Sequence, residues 1–133
     1  MHLLVDGKRV DPIEHGVHRY VFRLPHRPAA LRLRSRFSTP QELGIARDAR
    51  QLGIAVDRVM LAQARRQQTL QVDAATLTDG WHAFERDGGI RWTDGDAALP
   101  TRLFANLRGP AILVVHLGAV TQYIEEGNAI RAA

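Results

Sequence analysis

The clearest pattern in the chain is an alternation from Leu31 to Phe37. Leu31, Leu33, Ser35 and Phe37 share one side, and Arg32, Arg34 and Arg36 share the other. Residues two apart on a strand point to one face, so this spacing predicts a half-buried β-strand. Val17 to Leu24 repeats the arrangement, with His18, Tyr20, Phe22 and Leu24 opposite Val17, Arg19, Val21 and Arg23. Leu3-Leu4-Val5 and Lys8-Arg9-Val10 flank Asp6-Gly7, a dipeptide that tolerates the positive φ angles of a two-residue turn, and predict a hairpin.

Within Leu52 to Ala64, the runs Gly53-Ile54-Ala55-Val56 and Val59-Met60-Leu61 suit a buried strand. The helix formers between Asp57 and Gln68 leave a helix open as the alternative. Ala111 to Leu117, introduced by Gly109-Pro110, is a continuous apolar run fitted to the centre of a sheet. A short strand is expected at Thr69 to Val72, and a further hairpin from Gly80-Trp81-His82-Ala83-Phe84-Glu85 through Arg86-Asp87-Gly88-Gly89 to Ile90-Arg91-Trp92-Thr93.

The pattern breaks at Ser38 to Arg50. There Thr39 as cap and Pro40 at the first position predict a loop with one short helix around residues 39–50. Val120 to Ala133 is expected to be a partly helical or frayed tail. Eight or nine short strands without repeats predict an all-β fold, an antiparallel β-sandwich or jelly roll, formed as a single domain over residues 1–133.

Composition narrows the chemistry. The chain has 133 residues, 45% hydrophobic and 24% charged, which is ordinary for one globular core. It has no cysteine, which removes disulfides, thiolate zinc sites and cysteine nucleophiles. Asp6, Lys8 and Arg9 interrupt the first apolar run, so it does not read as a signal peptide, and no stretch approaches the roughly twenty apolar residues of a membrane span. An intracellular domain, cytoplasmic by preference, or a piece of a longer protein is expected, with no membrane partner.

The net charge is +4, and Lys8 is the only lysine among 18 basic residues. Arginine contacts phosphate well, but acidic residues are interspersed with it here, so a solvated surface is favoured and nucleic acid is not the expected partner. The in-register set Arg32, Arg34 and Arg36 could meet an anionic partner, although arginines on the outer side of a sheet also serve to keep it soluble.

No catalytic constellation is recognisable. The chain lacks a phosphate-binding Gly-rich loop, a G-x-S-x-G elbow and an H-E-x-x-H pair, and its six histidines are scattered. His15 and His18 would point to opposite faces of a strand, as would His82 and Glu85. Asp87, Asp94 and Asp96 supply the hard oxygens calcium takes, but Asp-Gly is first of all turn chemistry. No metal, no cofactor and no catalytic residues are expected, and the protein is not read as an enzyme. An enzyme built on dispersed acids such as Glu85, Asp94 and Asp96 would need a cleft that brings two carboxylates to working separation.

Trp81 and Trp92 are the remaining candidates. An exposed indole stacks on a sugar ring, and neighbouring Asp, Glu, His and Arg groups can bond its hydroxyls. The candidate ligand-binding set is therefore Trp81, His82, Glu85, Arg91, Trp92, Asp94 and Asp96. The competing expectation is structural: only 6% of residues are aromatic, and so few usually fill the core. On that expectation Gly53 and Gly80 permit close backbone approach, and Glu85 pairs with Arg91 across the hairpin.

The segments Arg50-Gln51-Leu52-Gly53-Ile54-Ala55-Val56-Asp57-Arg58-Val59, Gly80 to Glu85, and Arg91-Trp92-Thr93-Asp94-Gly95-Asp96-Ala97-Ala98-Leu99-Pro100 resemble a β-sandwich accessory module of bacterial multidomain proteins. Such modules stand beside Hint (hedgehog/intein-like) or glycosyltransferase domains. The resemblance covers roughly Leu31 to Leu117 and implies an accessory domain without established chemistry. It carries over no catalytic residue. The Hint core and its catalytic cysteine are absent, so autoprocessing is not implied. The expected function is a noncatalytic binding or accessory module with carbohydrate as ligand. The alternative is a protein-interaction or self-assembly domain, which leaves a homo-oligomer open.

Overall fold

A computed structural model describes residues 1–44 and 47–118. Asp6 (φ 52°) and Gly7 (φ 81°) form the first turn. It joins β1 (His2–Val5) to β2 (Lys8–Val10) in the register Leu3 to Val10 and Val5 to Lys8. The Asp6 carboxylate also accepts the amides of Ala29 and Ala30 at 2.7 and 2.8 Å, which brings β5 (Leu31–Arg34) beside β1. These amide bonds and the His26 ring favour the ionised form, so the Asp6 carboxyl lies below the usual carboxylate range.

Between these strands come β3 (Glu14–His15) and β4 (Arg19–Leu24). After β5 follow β6 (Ala55–Gln63), β7 (Arg66–Gln71), β8 (Arg91–Trp92), β9 (Asp96–Ala98), a single 3-10 turn (Thr101–Leu103) and β10 (Ala111–Leu117). They build two antiparallel sheets, one ordered β2-β1-β5-β9 and the other β3-β4-β10-β6-β7, with β8 paired to the start of β6. The fold is an all-β sandwich, and among the described residues no helix is long and apolar enough to cross a membrane.

The strand period explains the core. Leu3, Val5, Leu31, Leu33 and Ala97 of the first sheet share one buried cluster with Phe22, Leu24, Val59, Leu61, Leu113 and Val115 of the second. The apolar run Ala111 to Leu117 is central as its sequence predicts. Leu113 stands in register with Phe22 on one side and Leu61 on the other, and Val115 with Tyr20 and Val59.

One open alternative falls away, and two expectations change. Asp57 to Gln68 is not a helix but the β6–β7 hairpin, because Val59 and Leu61 reach the core at period two while β10 and β7 bond both edges of the segment. Cross-strand pairing, with β10 and within the segment itself, outweighs its local helix preference. Within 39–50, the described residues form turns, including a single Leu43 to Thr39 backbone bond of 3.2 Å, and Ser38 pairs with Leu52. Phe37 does not continue the inner side of its strand. β5 ends at Arg34, Ser35 donates to the Gly95 carbonyl at 2.9 Å, and Phe37 is 52% exposed. The predicted tail, 120–133, lies outside the described residues.

The β6–β7 turn contains a non-glycine residue in the left-handed region, Ala64 at φ 52°, exposed to solvent. That conformation costs an L-residue about 1–2 kcal/mol, which exceeds the extra chain entropy that glycine brings to the unfolded state. Ala64→Gly is expected to raise stability by roughly 0.5–1 kcal/mol, read as an increased midpoint in urea at unchanged slope.

Candidate binding site

The tryptophan hairpin forms, although most of its length is bridged rather than continuously paired. Trp81 bridges Thr93, Glu85 bridges Ile90, and the Gly89 amide closes the turn on the Glu85 carbonyl at 2.9 Å. Gly80 (φ 84°) crosses β9 so closely that a Cβ there would collide with the Asp96 carbonyl oxygen and the Ala97 Cα, so only glycine fits. The same contact places Ala98 N–H on the Asp79 carbonyl at 2.9 Å, which docks the hairpin against the first sheet.

The seven candidate residues are brought near one another, but they bond mostly inward. Trp81 is 9% exposed, and its indole N–H donates to the Ala98 carbonyl at 2.8 Å. Trp92 is 1% exposed and packs with Leu52, Ala55 and Ile90, its indole N–H unbonded among the described residues. Neither ring has an open face on which a sugar could stack. His82 meets the Gln51 carbonyl at 2.6 Å. Asp94 accepts the Asp96 amide at 2.9 Å, and Asp96 accepts the Arg32 Nε–H at 2.7 Å. Among the described residues no three His, Cys, Asp or Glu side chains converge as metal ligands.

Arg91 does not pair with Glu85. Glu85 faces Arg50 at 3.5 Å, while the Arg91 guanidinium donates to four backbone carbonyls: His82 at 2.6 Å, Val72 at 3.2 Å, Ala74 at 3.0 Å and Leu77 at 2.9 Å. The pairing of Val56 with Arg91 fixes where this fork sits. Arg32 plays the same role between strands. It grips Asp79 through two nitrogens at 2.8 and 3.1 Å and Asp96 through Nε. Bonds to Asp79 and then Asp96 raise the Arg32 pKa, and the same guanidinium holds the Asp79 carboxyl below its usual range.

A concave surface lies elsewhere, along β7, which has no further strand beside it among the described residues. Two clefts, of about 310 Å³ and about 300 Å³, meet at Gln68. The first is lined by Arg66, Gln67 and Asn106 over Leu61 and Leu107. The second is lined by Thr69, Thr76 and Arg102 over Leu70 and Leu103. Gln63, at the end of the first, is committed to Gly109, Pro110 and Arg108 backbone groups. The side chains of Gln67, Gln68, Asn106 and Thr76 make no hydrogen bond among the described residues. These residues escape a motif search because they come from separate segments. The one local signal is the unbroken polar run Arg66 to Thr69 inside a strand.

No protein-family model, curated protein or solved structure matches this chain.

Arg91→Met keeps the bulk of the side chain but takes the guanidinium donor from the His82, Val72 and Leu77 carbonyls, while the Ala74 carbonyl keeps the Leu77 amide at 3.2 Å. It is expected to cost about 3 kcal/mol or more in urea unfolding, because each buried acceptor left unpaired costs about 1–3 kcal/mol. For Asp79 the folded pKa is depressed, so its ion pair stabilises fully above about pH 4 and loses that contribution as pH falls through the lower folded value. Asp79→Asn is therefore expected to flatten the stability profile below that pH and leave its shape between pH 6 and 8 unchanged, in thermal melts across pH.

Proposed function

We propose that this domain is a noncatalytic binding module whose ligand is carbohydrate, held in the paired clefts along β7. The carrying observation is the uncommitted amide and hydroxyl set Gln67, Gln68, Asn106 and Thr76 around a floor of Leu61, Leu70, Leu103 and Leu107. A side-chain amide offers one acceptor and two donors, the complement of vicinal hydroxyls. The leucine floor meets the apolar face of a pyranose, a task the buried indoles cannot perform. The resemblance to modules beside Hint or glycosyltransferase domains supports an accessory role, with chemistry supplied by another part of a larger assembly.

A second reading has its own observation. β7 is an edge strand whose outer main-chain groups have no partner strand among the described residues, and five of its six residues are exposed. Such an edge can accept an extended peptide or a second copy of the chain.

Calorimetry against a panel of neutral oligosaccharides separates the two. Saturable binding of one glycan class is expected, weakened at least tenfold, about 1.4 kcal/mol, by Gln68→Ala or Asn106→Ala. No heat from any glycan at millimolar concentration, together with a mass that rises with concentration in light scattering, would replace carbohydrate with self-assembly.

A further inference from the structure

The outer face of the first sheet gathers positive charge that the fold does not use. Strand pairing sets Arg9 opposite Leu4 and Leu4 opposite Arg32, and in the next row His2 opposite Arg34. Past the end of β5 the chain carries Arg36 and Phe37 over the same edge. His2, Arg9, Arg34, Ser35, Arg36 and Phe37 line a cleft of about 610 Å³ with no carboxylate in its lining among the described residues.

These arginines differ from the two that hold the architecture. Arg32 is saturated by Asp79 and Asp96, and Arg91 by carbonyls. By contrast, the nearest carboxylate to Arg34 is Asp96, at 3.9 Å and already bonded to Arg32. Arg9 pairs at 2.8 Å with Asp11, where both side chains are about two-thirds exposed, so the pair is worth little. The Arg36 guanidinium has no ion pair or hydrogen bond among the described residues. Burial, then the charges of Arg9, the chain's amino terminus and Arg34, hold the His2 imidazole below its ordinary range, against the opposing pull of Asp11. Phe37, 52% exposed, lies against the backbone of Gly95, where a Cβ would press on its ring.

We propose that this cleft is a second ligand site, separate from the β7 clefts, that takes a small oxyanion attached to a ring: Arg9, Arg34 and Arg36 hold the anion and Phe37 packs on the ring. Guanidinium forks match the geometry of carboxylate, sulfate and phosphate oxygens. Three like charges in one concavity repel each other, and an anion relieves that repulsion as it binds. The volume suits a ligand of one or two rings.

The test is an amide NMR titration of the full chain with four probes: inorganic sulfate, glucuronate, phenyl phosphate and, as the uncharged control, glucose. Sulfate is expected to shift His2 and residues 34–37 weakly. Glucuronate or phenyl phosphate should bind at least tenfold tighter than sulfate, and whichever is preferred identifies a sugar acid or an aryl phosphate as the source of the anion. Glucose should shift none of these residues. Arg34→Gln with Arg36→Gln should abolish binding at unchanged melting temperature, Phe37→Ala should remove the ring-dependent gain alone, and Arg23→Gln on the other sheet should change neither. The proposal is overturned if no anion gives saturable shifts, if glucose shifts the same residues, or if the double variant binds as the parent does. None of these readouts involves Gln68 or Asn106, so failure here leaves the β7 reading standing, and the reverse.

Discussion

The irregular half of this sandwich depends on one guanidinium. Arg91 sits on a two-residue strand whose place is set by its pairing with β6, and from there it donates to carbonyls of Val72, Ala74, Leu77 and His82. Those carbonyls belong to a segment with no strand of its own to satisfy them. A partly buried backbone acceptor must find a donor, and an ionised donor gives stronger bonds than a neutral one. With that segment fixed, Leu77 enters the core and Ala74, Ala75 and Thr76 become one wall of the cleft that meets the other at Gln68. A residue type that suggests ligand binding in the sequence thus acts here by positioning the backbone that walls a cleft.

The near-complete replacement of lysine by arginine has physical consequences because the guanidinium is a planar fork rather than a point charge. The same side chain bridges two carboxylates at Arg32, gathers carbonyls at Arg91, and grips Asp48 through several bonds of 2.7 to 3.2 Å at Arg50. What distinguishes Arg9, Arg34 and Arg36 is the local supply of acceptors. Where Asp79 and Asp96 converge on Arg32, the fork is saturated; two residues further along the same strand, Arg34 comes no nearer than 3.9 Å to Asp96. Which arginines hold the architecture therefore depends on where the carboxylates lie.

The two proposed sites use different faults in the sandwich. Along β7 no further strand among the described residues closes the sheets, and the segment carrying the 3-10 turn at Thr101–Leu103 covers the gap only in part. Beyond β5 the strand breaks off when Ser35 turns its amide to Gly95, and the chain throws Phe37 outward. Regular pairing elsewhere leaves little freedom for a concave surface.

The sequence by itself determined the all-β class, the Asp6-Gly7 hairpin, the inward faces of β4 and β5 and the central place of Ala111 to Leu117. These follow from period-two alternation and from turn residues that tolerate positive φ, both local properties. It also marked Gly80 as a point of close approach. Only the tertiary structure decided that Phe37 is outside, that Asp57 to Gln68 is a hairpin, that Glu85 faces Arg50, and that both indoles are covered. Alternation reports which side of its own strand a residue takes, whereas exposure depends on the layer that faces it, and the partners of Arg91 and Gln68 lie in segments far along the chain.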